Sequence, residues 1–424
     1  LEVILKQILL LSGVLVFILA PCQNKNVSFA LEIDASQVLT GKDNNLVQSA
    51  NKFGLKLFRE ISSAEGNENI FISPLSVSLG LGMALNGAKD STFYEIQQTL
   101  ELQGLSLEDI NKSNQAMLAN LDSQVIFEIA NSIWHRNTFP VLDEFIELNR
   151  AFYNAEVKPL DFDEANSSKL INSWVNKKTH GKIRNIIDQP IDVKTVMFLI
   201  NAIYFKGSWV NQFDKLQTKT DSFVLPDNTE EECELMMQNE FFPYFENEHF
   251  QAIDLPYGGG HFSMAIFLPK TRQNDDVNSL TDMFTEENWS NWSSAYERAK
   301  VKLSMPKFKF EYDILLNNTL KELGMARAFD SSSADFKKMY DTTLCKENIY
   351  IDEVLHKTFI EVDEKGTEAA AVTKIDVKVS AMPNNDQPRQ IVMRIDHPFI
   401  FAIRERQSNS ILFMGKIINP GLPE

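Results

Sequence analysis

Between Thr367 and Val379 the chain alternates residue by residue, and no other stretch restricts the possible folds as tightly. Thr367, Ala369, Ala371, Thr373, Ile375, Val377 and Val379 fall on one side of an extended backbone; Glu368, Ala370, Val372, Lys374, Asp376 and Lys378 fall on the other. Period two with one uncharged side is the pattern of a half-buried strand. Glu364-Lys-Gly366 leads into it, and Pro383-Asn-Asn-Asp-Gln-Pro-Arg-Gln390 follows, a run suited only to an exposed loop. The chain therefore encodes a strand joined directly to a loop. Taken alone, that is an ordinary edge strand.

The remaining sequence supplies a mixed frame. Val47, Ala50, Phe53, Gly54, Leu57 and Phe58 recur at three and four, which predicts an amphipathic helix. Ser73-Pro74 opens a second helix carrying Leu75, Leu79, Gly82, Met83 and Leu85. Phe198–Phe205, Ser263–Leu268 and Val301–Met305 are short apolar or alternating runs bounded by Gly, Pro and Lys, hence strands. Tyr312 to Leu323 predicts a further helix, ending at Gly324 in a left-handed cap. Helices and strands without regular alternation favour an α+β fold over a doubly wound sheet.

A length of 424 residues would allow two or three domains, but no Ser/Gly-rich or Pro-rich linker divides the chain. A single domain over 46–424 is expected, after a signal peptide over 1–22 and an N-terminal extension over 23–45. The uncharged run Ile8–Ala20 is shorter than the roughly 20 residues that span a bilayer, and Ala20-x-Cys22 offers small residues for cleavage. The chain is therefore expected to be secreted and extracellular, without a membrane anchor. Sequons at Asn26, Asn111, Asn166, Asn288, Asn291 and Asn317 would then be candidate glycan acceptors.

Composition removes several function classes. A net charge of −17 argues against bulk nucleic-acid binding. With only Cys22, Cys233 and Cys345 there is no disulfide framework and no CxxC motif. None of the six histidines stands in a zinc-hydrolase motif, and no G-x-S-x-G elbow occurs. Gly82-x4-Gly87-Ala88-Lys89 misses the phosphate loop, because Lys must follow the second Gly directly. No metal, cofactor or catalytic residue is assigned.

Four blocks carry a resemblance that these patterns do not. They are Asn69-Ile-Phe-Ile-Ser73-Pro-Leu-Ser76, Asn201-Ala-Ile-Tyr-Phe-Lys-Gly-Ser-Trp209, Glu364-Lys-Gly-Thr-Glu-Ala-Ala-Ala371 and Asp396-His-Pro-Phe-Ile-Phe401. In this order, over about 49–420, they resemble the serpin family. The resemblance implies large mixed β-sheets with surrounding helices and an exposed reactive-centre loop, here about 364–395. It also implies a metastable inhibitor of serine proteases, not an enzyme. The protease cuts the loop, is held as an acyl-enzyme, and is dragged along as the cut loop enters the central sheet. The hinge would be Glu364, Gly366, Thr367, Glu368, Ala369, Ala370, Ala371, Val372 and Thr373. Ser73, Ser76, Asn201 and His356 resemble the polar cluster where the sheet parts, Trp209 the residue at its top, and Glu364 with Lys307 an ion pair at the hinge.

The inward face meets what insertion demands, since neither charge nor Pro occurs on it from Thr367 to Val379. About 15 residues inserting at roughly 3.3 Å each would carry the bound end about 50 Å. Counting seventeen residues from Glu364, the family's usual spacing, places the scissile bond between Ser380 and Ala381. Small, apolar Val379-Ser-Ala-Met382 suits an elastase-like or chymotrypsin-like pocket. Lys378, Val379 and Met382 are the alternative positions, Lys378 for a trypsin-like target. Heparin-type activation is not expected, because Lys112 is the only base between Ser91 and Asp122. The partner is thus a serine protease in covalent complex with a monomer, and the reading from another class is a non-inhibitory carrier or storage protein.

Overall fold

The computed structural model describes residues 41–119, 125–271, 276–367 and 390–421. The strands in chain order are β1 (Ile70–Ile72), β2 (Ile126–Arg136), β3 (Glu156–Leu160), β4 (Met197–Ser208), β5 (Lys219–Val224), β6 (Glu230–Glu246), β7 (Phe250–Tyr257) and β8 (Phe262–Pro269). They continue as β9 (Glu297–Pro306), β10 (Phe308–Leu315), β11 (Leu355–Val362), β12 (Gly366–Thr367), β13 (Gln390–Arg394), β14 (Phe399–Glu405) and β15 (Ile411–Ile417). Of the helices, four bear on the site: α1 (Gly41–Glu65), α2 (Pro74–Leu85), α3 (Asp143–Tyr153) and α4 (Ser167–Lys178).

Two sheets hold the strands. A nine-stranded sheet runs β1-β15-β14-β8-β7-β6-β9-β13, with β5 also paired to β6, and a six-stranded sheet runs β10-β11-β12-β4-β2-β3. Aromatic rings fill the space between them: Phe71 of β1 stacks on Phe413 of β15 at 5.2 Å and meets Phe310 of β10 edge-on. Phe205 of β4 likewise reaches Phe262 of β8 and Phe413. β8 and β15, enclosed on both faces, are buried at every position, whereas β11 alternates half-buried and buried as an outer-layer strand should. On its other face the six-stranded sheet is covered by α4, through Trp174, Ile171 and Val175 against Trp134, Ile200 and Ala202.

The predicted elements are present with two changes of boundary. α2 begins as expected, with Pro74 at its first turn and the Ser73 hydroxyl accepting from Ser76 N–H. α1 starts at Gly41, inside the segment assigned to the extension. The expected helix over Tyr312–Leu323 is wrong in its first part: Tyr312–Leu315 closes β10, and helix begins at Asn317, running on from Leu320 into a wider π-helical turn over Lys321–Met325. Phe308, Phe310, Tyr312 and Ile314 alternate at period two, and that alternation runs on past Tyr312, the expected start of the helix. Gly324 does hold a left-handed φ of 117° just beyond. The proposed signal peptide lies outside the described residues, and no described helix is long and apolar enough to cross a membrane.

Candidate functional site

β11 and β12 are joined by a tight turn, and β12 sits between β11 and β4, antiparallel to both. β4 and β11 have no ladder of their own among the described residues. The turn is made by local chemistry. Asp363 Oδ1 accepts from Lys365 N–H at 2.8 Å and Gly366 N–H at 3.1 Å, the self-closing bond of an Asx turn. Gly366 has φ 155°, and a Cβ there would lie 2.1 Å from the Gly207 carbonyl oxygen, so no other residue fits.

Four groups fasten this turn from outside. Trp209 N–H donates to Lys365 C=O at 2.8 Å, and its indole Nε1 donates to Asp363 C=O at 3.0 Å. The indole also stacks on Tyr257, centroids 4.4 Å apart. Phe213 N–H donates to Glu364 C=O at 2.8 Å. Thr367, buried, has its Oγ1 2.5 Å from Tyr257 Oη. Thr367, the first residue of the alternating stretch, is therefore held on the buried side of β12.

The Glu364 carboxylate is buried, not exposed as a hinge on a surface loop would suggest. It accepts from Thr218 Oγ1 at 2.8 Å and lies 3.5 Å from Lys307 Nζ, which also pairs with Glu234 at 2.9 Å. Burial alone would raise its pKa. Its own backbone N–H, the Thr218 hydroxyl and the Lys307 ammonium outweigh that and hold it below the ordinary carboxylate range.

Further down the same gap lies the polar cluster. Ser73 N–H donates to His356 Nε2 at 3.0 Å, and Ser73 Oγ donates to Leu412 C=O at 2.8 Å. Ser76 Oγ donates to Asn201 Oδ1, whose Nδ2 donates to Asn131 Oδ1 at 2.7 Å. α2 thus touches β11 through Ser73 and β4 through Ser76. His356 must present an unprotonated Nε2 to Ser73, and burial drives its pKa down to about 4.

The six expected sheet-opening residues are all in the described structure, at the seam between β4 and β11 or at its head. Of the residues expected to form the hinge, Glu364, Gly366 and Thr367 lie within the described structure, in the β11–β12 turn and β12. Glu368, Ala369, Ala370, Ala371, Val372 and Thr373, and the loop positions Lys378, Val379, Ser380, Ala381 and Met382, lie outside the described residues, as does Asn26. Asn111 is a correction: it is buried and its Nδ2 donates to Asn86 Oδ1, so it has no room for a glycan. Asn288 and Asn317 are half-buried and donate to Met283 C=O and Asp352 C=O, whereas Asn166 and Asn291 are exposed. Cys233 and Cys345 are both free. Among the described residues no His, Cys, Asp and Glu side chains gather as a metal site.

The family model described as Serpin (serine protease inhibitor) matches residues 48–420. The chain belongs to the serpin family. Human Serpin B8 is 34% identical over 389 residues, covering 89% of this chain and 100% of that one. Leukocyte elastase inhibitor A of Rattus norvegicus is 32% identical over 388 residues, 88% of this chain and 99% of its own. Among solved structures, the native state of the thermophilic serpin tengpin matches with a TM-score of 0.78 at 34% identity, covering 90% of this chain and 95% of that one. Serpins are in general protease inhibitors and not enzymes. Sequence reading missed Tyr257, Thr218 and Glu234 around the β11–β12 turn, and the extension of the cluster to Asn131. Each is an isolated residue far from its partner in sequence: Asn131 reaches Asn201 through the pairing of β4 with β2, Tyr257 meets Trp209 across an isolated bridge, and Glu234 reaches Lys307 beside the β6–β9 ladder.

Proposed function

We propose that this serpin inhibits a serine protease by the suicide-substrate route, with an elastase-like or chymotrypsin-like target cutting at Ser380–Ala381. The protease's serine oxygen would attack the Ser380 carbonyl carbon, expelling the Ala381 amine and leaving an ester. Insertion of the cut strand would then carry that ester away before water reaches it. The observation that carries the reading is β12, which already occupies the head of the seam between two strands that do not pair with each other.

Extending the register of β12 gives the inserted strand its neighbours. Thr367 faces Gly207 on one side and Val362 on the other, so at the same spacing Thr373 would come level with Asn201 and His356. An inward hydroxyl would then meet the polar cluster, and inward Ala369 and Ala371 would meet apolar or small surroundings. Secretion belongs to the same proposal and is supported by the apolar run Ile8–Ala20.

The test is incubation with elastase-, chymotrypsin- and trypsin-like proteases, read by denaturing gel and mass spectrometry. An SDS-stable complex with release of a C-terminal peptide starting at Ala381 is expected, and Ala371→Arg should convert that complex to plain cleavage. Cleavage of the unaltered chain by every protease without a complex would overturn the proposal in favour of a carrier.

A further inference from the structure

β9 carries Arg298, Lys300 and Lys302 at alternate positions, while Val301 between the two lysines and Leu303 just beyond them are fully buried. The three cations therefore share the outward face of one strand. None of them makes an ion pair among the described residues; Lys300 Nζ donates only to Asn239 C=O, at 2.8 Å. Glu240 and Glu297 lie on the same two strands and, in the described structure, pair with none of the three. Opposite Lys300, the exposed Phe241 lies under two charges, with Arg298 Cζ 4.5 Å and Lys300 Nζ 5.1 Å from its ring centroid. On the other side β13 sets Gln390 opposite Lys300, and Val392, 62% exposed, opposite Lys302. In a chain of net charge −17, this is an unneutralised basic and apolar face.

Its position gives it an occupant. Gln390 is ten residues beyond Ser380, so the arm between them spans at most ~35 Å. A protease domain of ordinary size is about 40 Å across. A protease seated on the loop cannot stand clear of the strands at the loop's return, and β9 is the strand next to β13.

We propose that the Arg298–Lys300–Lys302 stripe, with Phe241 and Val392, is an accessory docking surface that selects proteases whose surface beside the cleft is acidic. The proposal rests on the inhibitory reading. Separated charges of this kind act mainly on the encounter, so the effect belongs to the association rate and fades as salt screens it.

The experiment compares the unaltered chain with the triple variant Arg298→Glu, Lys300→Glu, Lys302→Glu, and with the triple Gln variant as a neutral control. Association rates for covalent complex formation are measured between about 20 and 200 mM salt. Two proteases of like pocket specificity are used, one with an acidic and one with a basic surface. With the acidic protease, charge reversal should slow association about tenfold at low salt and flatten the salt dependence, with the neutral variant between. With the basic protease it should speed association, and the stoichiometry should not change for either. Equal rates for all three proteins would overturn the docking surface, as would a stripe that matters only when a sulfated polysaccharide is added. Absence of any SDS-stable complex with the unaltered chain would instead remove the inhibitory reading itself.

Discussion

Thr367 Oγ1 and Tyr257 Oη, 2.5 Å apart and both buried, tie β12 to β7 of the other sheet. Tyr257→Phe would leave the Thr367 hydroxyl without its partner and should cost about 1–2 kcal/mol of native-state stability. A double-mutant cycle with Thr367→Val in urea denaturation should give a coupling of about 1 kcal/mol. Strict additivity would show that the two hydroxyls do not support one another.

How much of this was legible in the sequence depends on whether a local pattern carried it. Ser73-Pro74 could be read because a cap and a first-turn Pro are local signals; the alternation from Thr367 to Val379 is equally local, but only Thr367 of it lies within the described residues. The Tyr257–Thr367 bond could not, since nothing at either residue announces a partner 110 positions away. The start of the helix expected from Tyr312 failed for a related reason: the apolar residues there fit two periods, and the ladder from Phe308 to Leu315 against β11 decided between them. The partners of the buried Glu364 were equally hidden, because Thr218 and Lys307 lie on two other segments and Glu234, which shares Lys307, on a third.

Gly366 should tolerate no side chain. Its φ of 155°, and a Gly207 oxygen 2.1 Å from where a methyl carbon would stand, leave Ala no place without moving β4 or expelling β12. Gly366→Ala is expected to lower the urea midpoint by the equivalent of about 2 kcal/mol or more. Limited proteolysis should cut the turn at Asp363–Lys365 faster. An unchanged midpoint and cutting rate would mean that β12 is dispensable at the head of the seam.

His356 makes stability depend on pH in a defined window. Its folded pKa of about 4 lies below the ordinary value of 6.5, so the unfolded chain takes up a proton before the folded chain does. The contribution is complete above about pH 6.5 and is lost as pH falls towards 4, amounting to about 3 kcal/mol over that interval. His356→Gln keeps an acceptor for Ser73 N–H and removes the titration. Urea midpoints between pH 7 and 4 should fall less steeply for this variant, and parallel curves would contradict the assignment.

The segment after α4 is a strap over the outward side of the seam. The His180 ring lies tilted against Tyr204 of β4, centroids 4.3 Å apart, while Lys182 Nζ lies 4.5 Å from the Phe359 ring of β11 and 3.4 Å from Glu361. In the register set by β12, an inserted residue 370 comes level with both Tyr204 and Phe359, directly beneath that strap. Among Glu368, Ala370, Val372 and Lys374, the positions that insertion would turn outward, Ala370 carries the smallest side chain. Ala370→Phe should therefore slow insertion and raise the number of inhibitor molecules consumed per protease several-fold. Lys182→Ala removes a cation–ring contact and a half-exposed ion pair, together about 1 kcal/mol, and should recover part of that loss when combined with Ala370→Phe. Stopped-flow fluorescence from a probe on the loop would follow insertion directly. Equal insertion rates for Ala370→Phe and the unaltered chain would show that the strap lifts before the strand arrives.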